Sequence, residues 1–67
     1  MKNKRSDKFN SILDLLTQGM TNQEIADKLG FKLVTIKKDI SFLLEKYKVK
    51  SRTQLACEYF AQKIVNA

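Results

Sequence analysis

Histidine, proline and tryptophan are absent from this 67-residue chain, which has one cysteine and two glycines. Without histidine there is no Ser-His or Cys-His nucleophile pair and none of the common zinc spacings, and a single cysteine cannot close a disulfide within the chain. The expectation is therefore a protein that is not an enzyme and needs no cofactor or metal. Without proline, helices can run uninterrupted. No segment approaches the ~20 apolar residues that span a bilayer. The N-terminus, MKNKRSDKF, lacks the apolar run of a signal peptide, so a cytoplasmic chain is expected.

Hydrophobic residues make up 43% of the chain, too many for disorder. At this length the chain is one domain, near the lower limit for a single apolar core, so that core must be small and helical or shared with a partner. Thirteen Lys and Arg face seven Asp and Glu, a net charge of +6. So strong a basic excess favours a polyanionic partner, either nucleic acid or an anionic membrane surface. The basic residues do not lie opposite one long apolar helix face, which speaks against the membrane.

Residues 1–5 carry three basic side chains and read as a flexible basic arm. Residues 6–67 read as the domain. Ser6 has the character of an N-cap, with Asp7 favourably placed in the first turn. Phe9, Ile12, Leu13 and Leu16 then follow an i, i+3, i+4, i+7 spacing that predicts a first helix ending at Gly19. Thr21-Asn22-Gln23-Glu24 has the form of a capping box, with Met20 and Ile25 spaced as a hydrophobic staple, and it predicts a short second helix that ends at Gly30. Phe31 reads as an apolar plug under the following turn.

A third helix is predicted over about residues 33–47, with Ile36, Ile40, Leu43 and Tyr47 inward and Lys37, Ser41, Leu44 and Lys48 on another face. Ser51-Arg52-Thr53-Gln54 is a second capping box, opening a last helix over about 52–65 that contains Leu55, Ala56, Tyr59, Phe60 and Ile64. Cys57 reads as a small apolar residue, buried or partly so.

Two helices joined by a tight glycine turn, the second longer and basic on its outer side, describe a helix-turn-helix. Its second helix enters the major groove, where Lys37 and Lys38 can reach guanine O6 and N7 or phosphate oxygens. From Lys32 to Arg52 there are seven basic residues and two acidic ones, a local net of +5. Residues 9–31, by contrast, are net negative. Charge concentrated in this way is the electrostatic footprint of DNA binding.

The runs ILDLLTQGMTNQEIADKLGF, TIKKDI and LLEKYKVKSRTQLA resemble, without a gap from Ile12 to Ala56, the LuxR/GerE-type DNA-binding domain of bacterial transcription regulators. The resemblance implies an all-α, four-helix helix-turn-helix domain whose last helix supplies dimer contacts and which binds double-stranded DNA at an inverted-repeat promoter site. By position it implies that Lys37, Lys38 and Ser41 face bases and that Thr35 lies at the groove edge. Thr21 and Asn22 match the start of the second helix, where a free N–H and a short polar side chain can take a phosphate. Lys46 and Lys50 fall at or beside basic positions that touch phosphate, while Arg52 either does the same or helps to start the last helix.

The chain departs from the family pattern at several positions. Arg5, Ser6 and Phe9 stand where Leu, Thr and Glu are usual. Lys32 replaces a capping Ser and adds a charge near phosphate, and Leu33 and Val34 replace polar residues. Asp39 stands for His, and Lys48 for Gly at the end of the third helix. For Asp39 two readings stay open: it accepts from cytosine N4 in the groove, or it pairs with a neighbouring lysine or faces solvent. Leu33 and Val34 either touch thymine methyls or pack on the second helix and the turn; packing is the expectation for Val34, and Leu33 is open between the two.

The sequence therefore predicts a sequence-specific DNA-binding transcriptional regulator that stands alone, with neither a receiver nor an effector pocket. It would be a homodimer through Leu55, Tyr59 and Phe60, since a shared core relieves the size limit. An alternative from another class is a small LuxR-like protein that pairs with a full-length regulator and antagonises it. A sigma-like domain bound to RNA polymerase shares the helix-turn-helix, but the stretch EKYKVKSRTQLA argues against it.

Overall fold

The computed structural model describes residues 4–65, with side chains from residue 7 onward. It folds them into four α-helices: α1 (Lys4–Thr17), α2 (Asn22–Leu29), α3 (Leu33–Lys46) and α4 (Arg52–Val65). The fold is the all-α four-helix arrangement the sequence predicts. Helix α1 already includes Lys4, so Ser6 falls inside its first turn and not ahead of it. Residues 1–3, the rest of the expected arm, lie outside the described residues.

Each junction follows from local chemistry. Thr21 caps α2: its hydroxyl accepts from the Glu24 N–H, and its own N–H donates to the Glu24 carboxylate at 2.8 Å, the full reciprocal capping box. At the start of α4, the Ser51 hydroxyl accepts from the Gln54 N–H at 3.1 Å. The Gln54 side chain reaches one residue further back than a capping box requires and accepts from the Lys50 N–H at 3.0 Å.

Three helix ends close on a residue with positive φ: Gly19 at 82°, Gly30 at 76° and Lys48 at 58°. After α3 the Lys48 N–H returns to the Glu45 carbonyl and the Val49 N–H to the Leu44 carbonyl, the paired bonds of a Schellman motif. Lys48 holds there a conformation that costs an L-residue about 1–2 kcal/mol and a glycine almost nothing.

One apolar cluster joins all four helices. Phe9, Ile12, Leu13, Leu15 and Leu16 come from α1, Ile25 and Ala26 from α2, Ile36, Ile40 and Leu43 from α3, and Leu55 from α4. Helix α1 touches each of the others, and α2 packs on α3 to make the helix-turn-helix. Six of these side chains are completely buried, and truncating one to alanine costs about 2–5 kcal/mol, a large share of what so small a domain has.

Four expectations need correction. Leu55 is fully buried in the protomer's own core, so it supports α4 from inside and is not free to meet a partner. Cys57 is exposed. Phe31 is 40% exposed and does not plug the turn. Val34 is 56% exposed and does not pack on α2. Val34 stands two residues before Ile36, on the opposite side of α3 from the core.

A polar tether joins α1 to α4. The Tyr59 hydroxyl donates to Asp14 Oδ1 at 2.9 Å, and the Lys63 ammonium lies 3.0 Å from the same oxygen. Desolvation raises the affinity of Asp14 for its proton. The hydrogen bonds from Lys63 and Tyr59 and the Lys63 charge outweigh it and hold the carboxyl below its usual 3.8. Burial and the neighbouring Asp14 push Tyr59 up to about 12.

Two predictions follow from these features. Lys48→Gly relieves the positive-φ strain and should stabilise the domain by about 1 kcal/mol, raising the thermal midpoint by roughly 4–8 °C. Lys48→Val should lower it, and equal midpoints for both variants would contradict the strain. The tether sets the pH dependence. Asp14, depressed in the folded state, contributes stability that is present above its unfolded value and lost as pH falls below about 4. Tyr59, raised in the folded state, contributes stability that is present below about pH 10 and lost as pH climbs towards 12. Thermal midpoints across pH should therefore fall at both ends, and Tyr59→Phe should flatten the alkaline limb.

Candidate nucleic-acid interface

Helix α3 turns Ile36, Ile40 and Leu43 into the core, so the opposite side faces solvent by the 3.6-residue period. Val34, Lys38, Ser41 and Glu45, spaced by four, three and four residues, form the outward stripe. All four are exposed. Lys37, also exposed, flanks the stripe on one side, and the half-buried Thr35 with the exposed Lys46 flank it on the other. Lys32 is exposed just ahead of the helix, and Lys50 is exposed in the link before α4, four residues past the end of α3. The structure thus brings together on one side of α3 Lys37, Lys38 and Ser41, with Thr35 and Lys46 flanking them and Lys32 at the helix start, and leaves Lys50 off that helix. No side chain caps α3: Lys32 supplies only its carbonyl, which accepts from the N–H groups of Thr35 and Ile36.

Asp39 lies apart from that stripe. Its carboxylate, 16% exposed, is 3.0 Å from the Lys8 ammonium of α1, in an ion pair whose angles are not those of a hydrogen bond. The same ammonium stands 5.4 Å from the centre of the Phe31 ring and 5.7 Å from that of Phe9. Phe9 in turn stacks on Phe42 of α3, with centroids 5.4 Å apart. An ion pair and an aromatic stack therefore join α1 to the back edge of α3. Of the two readings of Asp39, pairing with lysine is realised, and the lysine comes from another helix.

The start of α2 also differs from expectation. The Thr21 N–H is not free, because it donates to Glu24. The side-chain oxygen of Asn22 accepts from Arg52, whose second guanidinium nitrogen donates to the Met20 carbonyl at 2.8 Å. Arg52 thus clamps the start of α4 onto the start of α2, the second of the roles left open for it. Of the residues expected at a dimer contact, Tyr59 is half-buried against Asp14, while Phe60 is 58% exposed beside exposed Ile64 and Val65.

A short capped helix, a glycine turn and a longer helix whose exposed side carries Lys37, Lys38, Ser41 and Lys46 define a helix-turn-helix domain of the DNA-binding type. The profile of the bacterial regulatory proteins of the luxR family matches residues 6–59, most of the chain. The chain belongs to that family. It is 39% identical over 51 residues to the DNA-binding transcriptional activator DevR/DosR of Mycobacterium tuberculosis, a match covering 76% of this chain and 24% of that protein. The chain therefore spans about a quarter of the length of this curated relative.

Reasoning from sequence missed Lys8. Nothing local marks it, since its partner Asp39 is 31 residues away and only the packing of α1 on α3 brings them together. Lys8→Met should strand the part-buried carboxylate and cost about 1 kcal/mol in urea denaturation. Adding Asp39→Asn should recover most of that loss. Additive costs in the double-mutant cycle would show that the pair contributes nothing.

Proposed function

We propose that the chain is a sequence-specific DNA-binding transcriptional regulator whose α3 lies in the major groove of double-stranded DNA. The carrying observation is the outward stripe of α3: Lys38 and Ser41, with Lys37 beside them, exposed on a helix whose opposite side is locked in the core. Lys37 and Lys38 present donors to guanine O6 and N7, and Ser41 donates or accepts. Lys32, Lys46 and Lys50 neutralise phosphates on either side, with Thr35 at the groove edge and the Asn22 amide at the start of α2. Asp39 acts from behind, through Lys8, and does not read a base. The family match and the DNA-binding activator among the relatives support this reading.

Two copies meet through the outer face of α4, where Phe60, Ile64 and Val65 are exposed, and bind an inverted repeat in the cytoplasm of a bacterium. The same apolar face suits a second reading, in which the chain pairs with a longer regulator and antagonises it.

Fluorescence anisotropy on random and selected duplexes at several salt concentrations tests both. The wild type should select a two-fold symmetric sequence. The Lys37→Ala, Lys38→Ala double variant should lose that selectivity, with a log–log salt slope shallower by about 2. Unchanged binding by the double variant removes α3 as the reader. If regulation survives in it but is lost in Phe60→Ala, the antagonist reading holds.

A further inference from the structure

Val34 is the one apolar member of the outward stripe of α3, and it stands at the end of the helix that reaches deepest in a helix-turn-helix complex. A solitary exposed apolar side chain needs no explanation by itself. The neighbours of this one are informative: its i+3 and i+4 companions are Lys37 and Lys38, and Lys32 immediately precedes the helix. An apolar protein partner would have to desolvate those ammonium groups to reach Val34. A polyanion that carries methyl groups would not, and the major-groove edge of a thymine offers its 5-methyl group among flanking phosphates.

We propose that Val34 is a specificity-determining residue that reads the 5-methyl group of a thymine beside the base pair contacted by Lys38. The inference rests on the DNA-binding reading above and deepens it. One turn separates Val34 from Lys38 on a single face, so their targets are neighbouring base pairs, and the half-site contains a thymine adjoining the position Lys38 reads. Leu33, half-buried at the foot of the helix, is turned away from that stripe.

The test uses the full chain and the duplex it selects from a random library, with each thymine replaced singly by deoxyuridine, which lacks only the methyl group. At one position per half-site the replacement should weaken wild-type binding about fourfold, the worth of one buried methyl-sized group. Val34→Ala should bind the thymine and deoxyuridine duplexes alike. Cytosine at that position should weaken the wild type, and 5-methylcytosine should restore part of the loss. Val34 is exposed and alanine favours helix, so the variant should fold, which circular dichroism checks. Sequence-selective binding by a wild type indifferent to every deoxyuridine overturns the inference and leaves the DNA reading standing. A methyl effect that persists undiminished in Val34→Ala also overturns it, by assigning the methyl to another side chain. A wild type that selects no sequence removes the DNA reading, and the inference with it.

Discussion

Everything in this domain depends on one face of α1 packing against all three other helices. At 8 to 14 residues, none of the four is long enough to be stable alone in water. Ile12 and Leu13 of α1 lie in one cluster with Ile25, Ile36, Leu43 and Leu55, the six large side chains that are completely buried in a core of eleven. So thin a core has no redundancy. The orientation of α3 is consequently fixed by a few contacts: Ile36, Ile40 and Leu43 set its rotation, and the Phe9–Phe42 stack with the Lys8–Asp39 pair sets its seat against α1.

The distribution of charge follows the same division. Among the described residues, the two ion pairs engage Asp14 with Lys63 and Asp39 with Lys8, both across the seams of α1. Neither pair uses Lys32, Lys37, Lys38, Lys46 or Lys50. Asp14 and Asp39 are thus held where they join helices, while Lys32, Lys37, Lys38 and Lys46 stay exposed, with Glu45 among them on α3. The local net of +5 between Lys32 and Arg52 understates this polarity, since one of its two acids, Asp39, is turned inward onto α1.

Helices and caps were legible because their signals are local. The Thr21–Glu24 box, the glycines at 19 and 30 and the apolar spacing in α1 to α3 each occupy a few residues, and each is realised as read. The outward face of α3 was legible only in part: Ser41 lies on it as read, but Leu44, expected there, is partly buried against the core, Lys48 lies beyond the helix end, and Val34, Lys38 and Glu45 complete the stripe. What escaped is non-local or depends on which way a helix face is turned. The Lys8–Asp39 pair and the Arg52 clamp join residues about thirty positions apart, with no pattern in the chain to announce them. Phe60 and Ile64 were grouped with Leu55, but five and nine residues on from it they lie on the far side of α4 by the 3.6-residue period and stay exposed. Val34, an apolar residue beside a turn, is expected to pack, but the rotation set by Ile36, Ile40 and Leu43 points it to solvent.

Two of the departures from the family pattern, Phe9 and Asp39, meet at the α1–α3 seam, and there they are offset. Phe9, standing where an acidic residue is usual, would leave a large apolar side chain at the edge of the core, but Phe42 stacks on it. Asp39, standing for histidine, would bring a carboxylate towards phosphate, but Lys8 holds it back. Lys8 also lies over Phe9 and Phe31, so one ammonium couples both substitutions with the turn that leads into α3. A change at Lys8 therefore alters three contacts at once. It acts on the seat of α3 against α1, whereas a change at Lys38 alters one exposed side chain and leaves the helix where it was.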